Sequence, residues 1–349
     1  MASEEKLVQA LDLLTTTDLS TAAHPRRARG MRTHGVAPAR KLRRVVDSKN
    51  VVAVGISEKV TLGKRTGTLA LTFYVRQKKP RSKLGVHVAA PSVIGSDVVG
   101  TEITTDVVAI GRPQLEEIEE LSNPLATRKP IQPGFSISHV DVPAGTLGCI
   151  VEKDGQLLIL SNSHVLANSG QAKKGDVIVY PAIADDGKLP KDKIAKLTNF
   201  IPFQVGGAFV NHVDCAVALP LPGRVADLRS EIKDLFVPRG ITQPVRDMEI
   251  VKVGRTTGET VGKVKDIHFR FVCPYPDIGD VGFVDQVFCT RYSSGGDSGS
   301  LVLDRKTGKA VGLHFAGFPD KQGVMGSVFN PIQKVLDALG VTLVTKAIP

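Results

Sequence analysis

An all-β fold is predicted for this 349-residue chain by three observations. Its 34 Gly and 21 Pro cut it into many short runs rich in Val, Ile and Thr. One of those runs alternates apolar and polar residues at the period of a strand, and long stretches of helical periodicity are few. Barrels or sandwiches are what such a pattern builds. The length calls for about two domains, and an apolar content of 42 % is enough for a substantial core.

The first element is a short helix near residues 3–15, where Leu7, Leu11 and Leu14 fall at i, i+4 and i+7. One apolar stripe on so short a helix needs a partner surface. From Arg26 to Arg44, "RRARGMRTHGVAPARKLRR" carries eight Lys or Arg and no acid, which accounts for most of the net charge of +10. Such a stretch can bind phosphates by counterion release. It lacks the interleaved aromatics of a base-stacking surface, so it reads as a flexible linker or partner-docking arm, and nucleic acid is not an expected partner. Two runs follow, "NVVAVGISEKV" and "TGTLALTFYVRQ". In the second, Leu69, Leu71, Phe73 and Val75 alternate with Thr68, Ala70, Thr72 and Tyr74, as in a strand with one face in a core. Together the runs read as a hairpin, with a further strand near "TTDVVAIG".

An acidic turn of helix and a Pro-rich connection, "EEIEELSNPLATRKPIQPG", place a boundary near residue 128. The chain thus divides into a helix with a basic flexible segment (1–45), a smaller β-rich domain with its linker (46–128) and a large all-β domain (129–349). Leucine stripe and strand edges both need covering, so self-association through the N-terminal region is expected. No 18-residue apolar run exists, and the start "MASEEKLVQALDLL" carries acids where a signal peptide would be positive. The expected setting is the cytoplasm, without a membrane. Cys149, Cys215, Cys273 and Cys289 then read as reduced core thiols, a Cys273–Cys289 bridge being the less favoured alternative. No CxxC pair is present, and no metal or cofactor is expected.

The chemistry concentrates around "SSGGDSGS" at residues 293–300. Acyl transfer by a serine needs a base to take its proton, a carboxylate to fix that base's tautomer, and N–H groups aimed at the oxyanion. The glycines of "GGDSG" let the loop turn so that the amides of Gly296 and Ser298 face one spot. A histidine, His164, ends the polar turn of "LLILSNSHVLAN". A carboxylate, Asp214, opens the apolar run of "NHVDCAVALP", where burial is costly unless a partner waits for it. The order His164, Asp214, Ser298 fits one known arrangement of the three groups.

"LSNSHVLA", "VDCAVA" and "GGDSGS" resemble the catalytic blocks of the chymotrypsin-like (trypsin-fold) serine proteases. "AGTLGCIV" is similar to the first-barrel strand before their histidine, and "VKVGRTTGETVGKV" to the opening of the second barrel in streptogrisin and α-lytic-type enzymes. The chain as a whole looks most similar to bacterial cytoplasmic relatives of the plant NARROW LEAF proteases. The resemblance implies two six-stranded β-barrels with the active site between them, and protein substrates. It makes His164 the general base, Asp214 its orienting acid, Ser298 the nucleophile, and the amides of Gly296 and Ser298 the oxyanion hole. In that family the aspartate before the nucleophile is buried and paired with a cation; here that is Asp297, and Lys252, two positions before the glycine of "GRTTG", is the expected cation. Val165 stands where secreted trypsins carry a cysteine after the histidine, which fits a reducing compartment.

The resemblance also gives His314, in "VGLHFAG", the position of a histidine in glutamate-specific bacterial members. Ser293 and Ser294 would add donors, and Tyr292 stands in a stretch that holds no pocket acid. Cleavage after Glu or Gln is the implied preference. A weakly active or inactive protease-fold scaffold for protein interaction is the alternative, since fold does not fix function.

Overall fold

The computed structural model describes residues 2–16, 43–84, 89–115, 129–318 and 325–348. Most of the basic segment and of the connection before residue 129 lies outside them. The predicted first helix, α1 (Glu4–Thr15), starts at Ser3, whose hydroxyl accepts from the Lys6 amide, and carries Glu4 and Glu5 in its first turn. Behind it come β1 (Val51–Thr61) and β2 (Lys64–Val75), the expected antiparallel hairpin, then β3 (Val93–Ile94) and β4 (Ile103–Ala109), with β4 parallel to β2.

The first barrel uses β5 (Ser136–His139), β6 (Gly145–Thr146), β7 (Cys149–Lys153), β8 (Gln156–Ser161), β9 (Val177–Val179), β10 (Lys193–Phe200) and β12 (Ala216–Pro220). Pairing runs β6–β5–β9–β10–β12–β8–β7. Between β6 and β7 the Leu147 amide donates to the Phe135 carbonyl and the Gly148 amide to that of Leu160. β6 and β7 thus act as one bent strand that closes a ring of six. Alternation sorts its side chains: Ile150, Ile159, Ala216 and Ala218 fill the barrel, while Cys149, Val151, Leu158, Leu160, Cys215 and Val217 face out of it.

The second barrel is a ring of six antiparallel strands in the order β13–β14–β15–β18–β17–β16 and back to β13. These are β13 (Glu249–Gly254), β14 (Gly258–Tyr275), β15 (Gly279–Thr290), β16 (Leu301–Asp304), β17 (Ala310–Phe318) and β18 (Gly326–Pro331), with β11 (Phe209–Asn211) added parallel to β15. Outward-facing Val251, Val253, Leu301, Leu303 and Leu313 meet the outward set of the first barrel. Near the C-terminal end a helix, α2 (Ile332–Leu339), closes that interface with Ile332, Val335, Leu336 and Leu339, and β19 (Thr342–Leu343) extends the first barrel beside β7. The architecture is the expected all-β double barrel.

Two features depart from short-range expectation. β1 pairs antiparallel with β14, Ala53 opposite Phe271, so the N-terminal strands and the second barrel share one sheet. β2 was expected to bury one face and buries both over its second half. Leu71 and Phe73 meet Leu7, Leu11 and Leu14 of α1, while Tyr74 packs on Phe269 and Phe288. The leucine stripe is covered within the chain, which removes one ground for expecting self-association.

Candidate active site

His164 and Asp214 come from opposite sides of one strand pair. β8 and β12 are hydrogen-bonded neighbours, with Ser161 opposite Ala216, so the turn after β8 and the approach to β12 lie side by side. That places four donors around one carboxylate. Asp214 Oδ2 accepts from His164 Nδ1 at 2.5 Å and from Tyr275 Oη at 2.7 Å. Its Oδ1 accepts from the backbone amides of Ser163 at 2.7 Å and His164 at 3.2 Å. Asp214 has no exposed surface, and burying a carboxylate is costly unless donors replace its water. With Nδ1 committed as a donor, the neutral imidazole of His164 keeps Nε2 as an acceptor. The Asp214 backbone is held too: its amide donates to Asn330 Oδ1 at 2.7 Å, and its carbonyl accepts from Asn162 Nδ2 at 2.8 Å.

Ser298 sits on the loop entering β16, pressed against the first barrel. The Thr146 amide donates to the Ser298 carbonyl at 2.7 Å. A Cβ on Gly145 would lie 2.4 Å from Val165, the residue after His164, and 3.1 Å from the Ser298 carbonyl oxygen. The histidine turn and the serine loop therefore meet across Gly145 and Thr146. Among the described residues Ser298 Oγ has one partner, the Phe315 carbonyl, at a long 3.4 Å.

The shape of this loop follows from Asp297. Its Oδ2 accepts from Lys252 Nζ at 3.0 Å, Thr257 Oγ1 at 2.6 Å and the Ser294 amide at 3.0 Å, and its Oδ1 from the amides of Thr256 and Thr257 at 2.9 and 3.1 Å. Neither Lys252 nor Asp297 has exposed surface. Burial raises the Asp297 carboxyl; Lys252, then Thr257 and the loop amides, outweigh it and leave the group below its ordinary value. Two neighbouring carbonyls are pinned: that of Gly295 by Thr256 Oγ1 at 2.5 Å, that of Asp297 by Ser300 Oγ at 2.5 Å. A trans peptide directs its N–H opposite to its C=O, so the Gly296 and Ser298 amides face away from these braces. Gly296 has φ of 92°, a value that suits glycine alone among common residues.

One ion pair near this loop has no counterpart in the sequence reading. Arg255 grips Asp185 of the first-barrel side through Nη2 at 2.6 Å and Nε at 2.9 Å, and its Nη1 donates to Thr256 Oγ1 at 3.1 Å. Tyr275 and Asn330 were also missed; neither stands in a recognisable motif, and both reach Asp214 from the second barrel. Of the residues assigned to specificity, His314 is fully buried on β17, with Tyr292 Oη 3.2 Å from its Nδ1. Ser293 Oγ pairs with Ser327 Oγ at 2.6 Å, and the Ser294 amide is taken by Asp297. All four cysteines are buried thiols, and burial raises each of them. Among the described residues no group of His, Cys, Asp and Glu is placed to hold a metal ion, and no helix is long and apolar enough to cross a membrane.

No protein-family model and no curated protein sequence matches the chain, so the likeness to the plant NARROW LEAF proteases gains no support there. Among solved structures it is similar to Thermobifida fusca Protease A, at 16 % identity and a TM-score of 0.44 over 62 % of this chain and 99 % of that one. A glutamic acid specific serine protease gives 17 % and 0.45 over 61 % and 100 %, and Cellulomonas bogoriensis chymotrypsin 16 % and 0.43 over 62 % and 99 %. At these identities and TM-scores nothing about activity or substrate transfers to this chain.

Proposed function

We propose that the chain is an intracellular serine endopeptidase. The observation that carries the reading is the Asp214 carboxylate, saturated by four donors of which one is His164 Nδ1 at 2.5 Å. That arrangement fixes the tautomer a general base requires. In the reaction Ser298 Oγ turns from the Phe315 carbonyl and attacks the scissile carbonyl carbon, and its proton passes to His164 Nε2. The oxyanion is received by the amides of Gly296 and Ser298, on a loop braced before substrate arrives. Collapse breaks the C–N bond as His164 returns the proton to the leaving amine. An acyl ester remains on Ser298, and water activated by the same imidazole hydrolyses it.

Specificity for Glu or Gln belongs to the same reading, with His314 as the group that would meet the side chain. Its burial requires Tyr292 and its neighbours to yield before a carboxylate reaches the ring. Ser298→Ala should lower cleavage of a casein-like substrate by roughly 10⁴- to 10⁶-fold with the fold intact, and His164→Ala should match it, because such groups act as a unit. Unchanged cleavage by either variant counts against the triad. A peptide-library profile of the same preparations tests the specificity: cuts after basic or small apolar residues, unaltered by His314→Ala, would defeat it.

A further inference from the structure

We propose that Tyr275 is a positioning residue of the triad, supplied by the second barrel to hold the Asp214–His164 pair contributed by the first. The inference deepens the protease reading and rests on it for its kinetic consequence. Tyr275 ends β14 and has almost no exposed surface. Its Oη donates at 2.7 Å to Oδ2 of Asp214, the oxygen that His164 Nδ1 also uses. The ring stands edge-on to the imidazole, centroids 6.2 Å apart at 80°, and is backed by Phe203 at 4.9 Å and Phe283 at 6.0 Å. A side chain so enclosed keeps one rotamer, so its hydroxyl is a fixed donor rather than a chance contact.

Such a donor acts in two ways. It occupies the sector of Oδ2 left open by the imidazole, so the carboxylate cannot rotate without losing a charge-assisted bond. It also disperses the Asp214 charge, which weakens the pull of that charge on the imidazole proton. The phenol stays protonated in this role: burial first, then the Asp214 charge, drives its ionisation well above the ordinary range. Cys215 and Cys273, the thiols nearest the pair, are likewise held neutral by burial and by Asp214.

Tyr275→Phe removes the hydroxyl and keeps the ring. With the charge less dispersed, His164 should bind its proton roughly tenfold more tightly, and the acid limb of kcat/KM should move to higher pH. The value of kcat should fall about 10- to 100-fold, as for loss of a hydrogen bond to a charged group. The imidazole titration of His164, followed by NMR in wild type and Tyr275→Phe, reads the first effect without any turnover. A shifted titration supports the proposal even if the wild-type protein cleaves nothing, an outcome that would sink the protease reading instead. An unshifted titration in a folded Tyr275→Phe protein overturns it, as does a packing role that lowers the melting temperature and leaves both titration and kcat unchanged.

Discussion

Burial would raise the Asp297 carboxyl, yet the group stays below its ordinary value because Lys252 and the loop donors favour its charged form. A carboxylate whose native value is lowered adds stability above its unfolded value, near 3.9, and loses it as pH falls through the native value. The nucleophile loop should accordingly hold until pH falls through that lowered value and loosen only below it. Lys252→Met strands that charge: removing one partner of a buried pair costs about 3 to 5 kcal/mol. Activity should fall with every triad residue still in place, because the braced Gly295 and Asp297 carbonyls belong to the same loop. Wild-type cleavage rates and an unchanged melting temperature in Lys252→Met would remove Lys252 from this role. The "GGDSG" string and the lysine two positions before "GRTTG" made this pair legible. Tyr275 carried no comparable signal: its contact spans 61 residues of sequence and depends on where β14 ends.

Where β1 lies on β14, the seam contains a second buried acid. Asp266 has no exposed surface; it accepts from Tyr74 Oη at 2.9 Å and from the His268 amide at 2.8 Å. Burial is the largest influence on it, only partly offset by the donors and by Arg246, and raises the carboxyl to about 7. Here the native value exceeds the unfolded one, so between roughly pH 4 and 7 the native state holds a proton that the unfolded chain has released. Stability is full below that window and declines as pH rises through it, by about 4 kcal/mol for this group alone. Asp266→Asn should remove the decline. Urea midpoints at pH 5 and pH 8 check this: the midpoint of Asp266→Asn should rise relative to that of wild type between the two, and a constant difference would contradict it. The hairpin was readable from its alternation, whereas its docking on β14 was not, since apolar residues on both faces of β2 give no direction to either.

Across the whole molecule, division of labour between the barrels explains what the sequence could and could not reveal. Each residue of the proposed triad follows or precedes a strand in a short recognisable string, so His164, Asp214 and Ser298 could be singled out from local pattern and order. The groups that hold them there, Tyr275, Asn330 and the Arg255–Asp185 pair, act across the barrel interface, and only the closure of both six-stranded rings brings them to the site. One cavity, of about 850 Å³ between α1 and the second barrel, contains none of the predicted site residues; the proposed site lies instead where the serine loop meets the first barrel. At this junction Ser298 is expected to be an activated nucleophile. A fluorophosphonate reacts with an activated serine, and mass spectrometry of the digested adduct locates it. A single label is expected on Ser298, and it should disappear in His164→Ala; an unlabelled wild-type protein, or a label on another residue that survives His164→Ala, would contradict an activated Ser298.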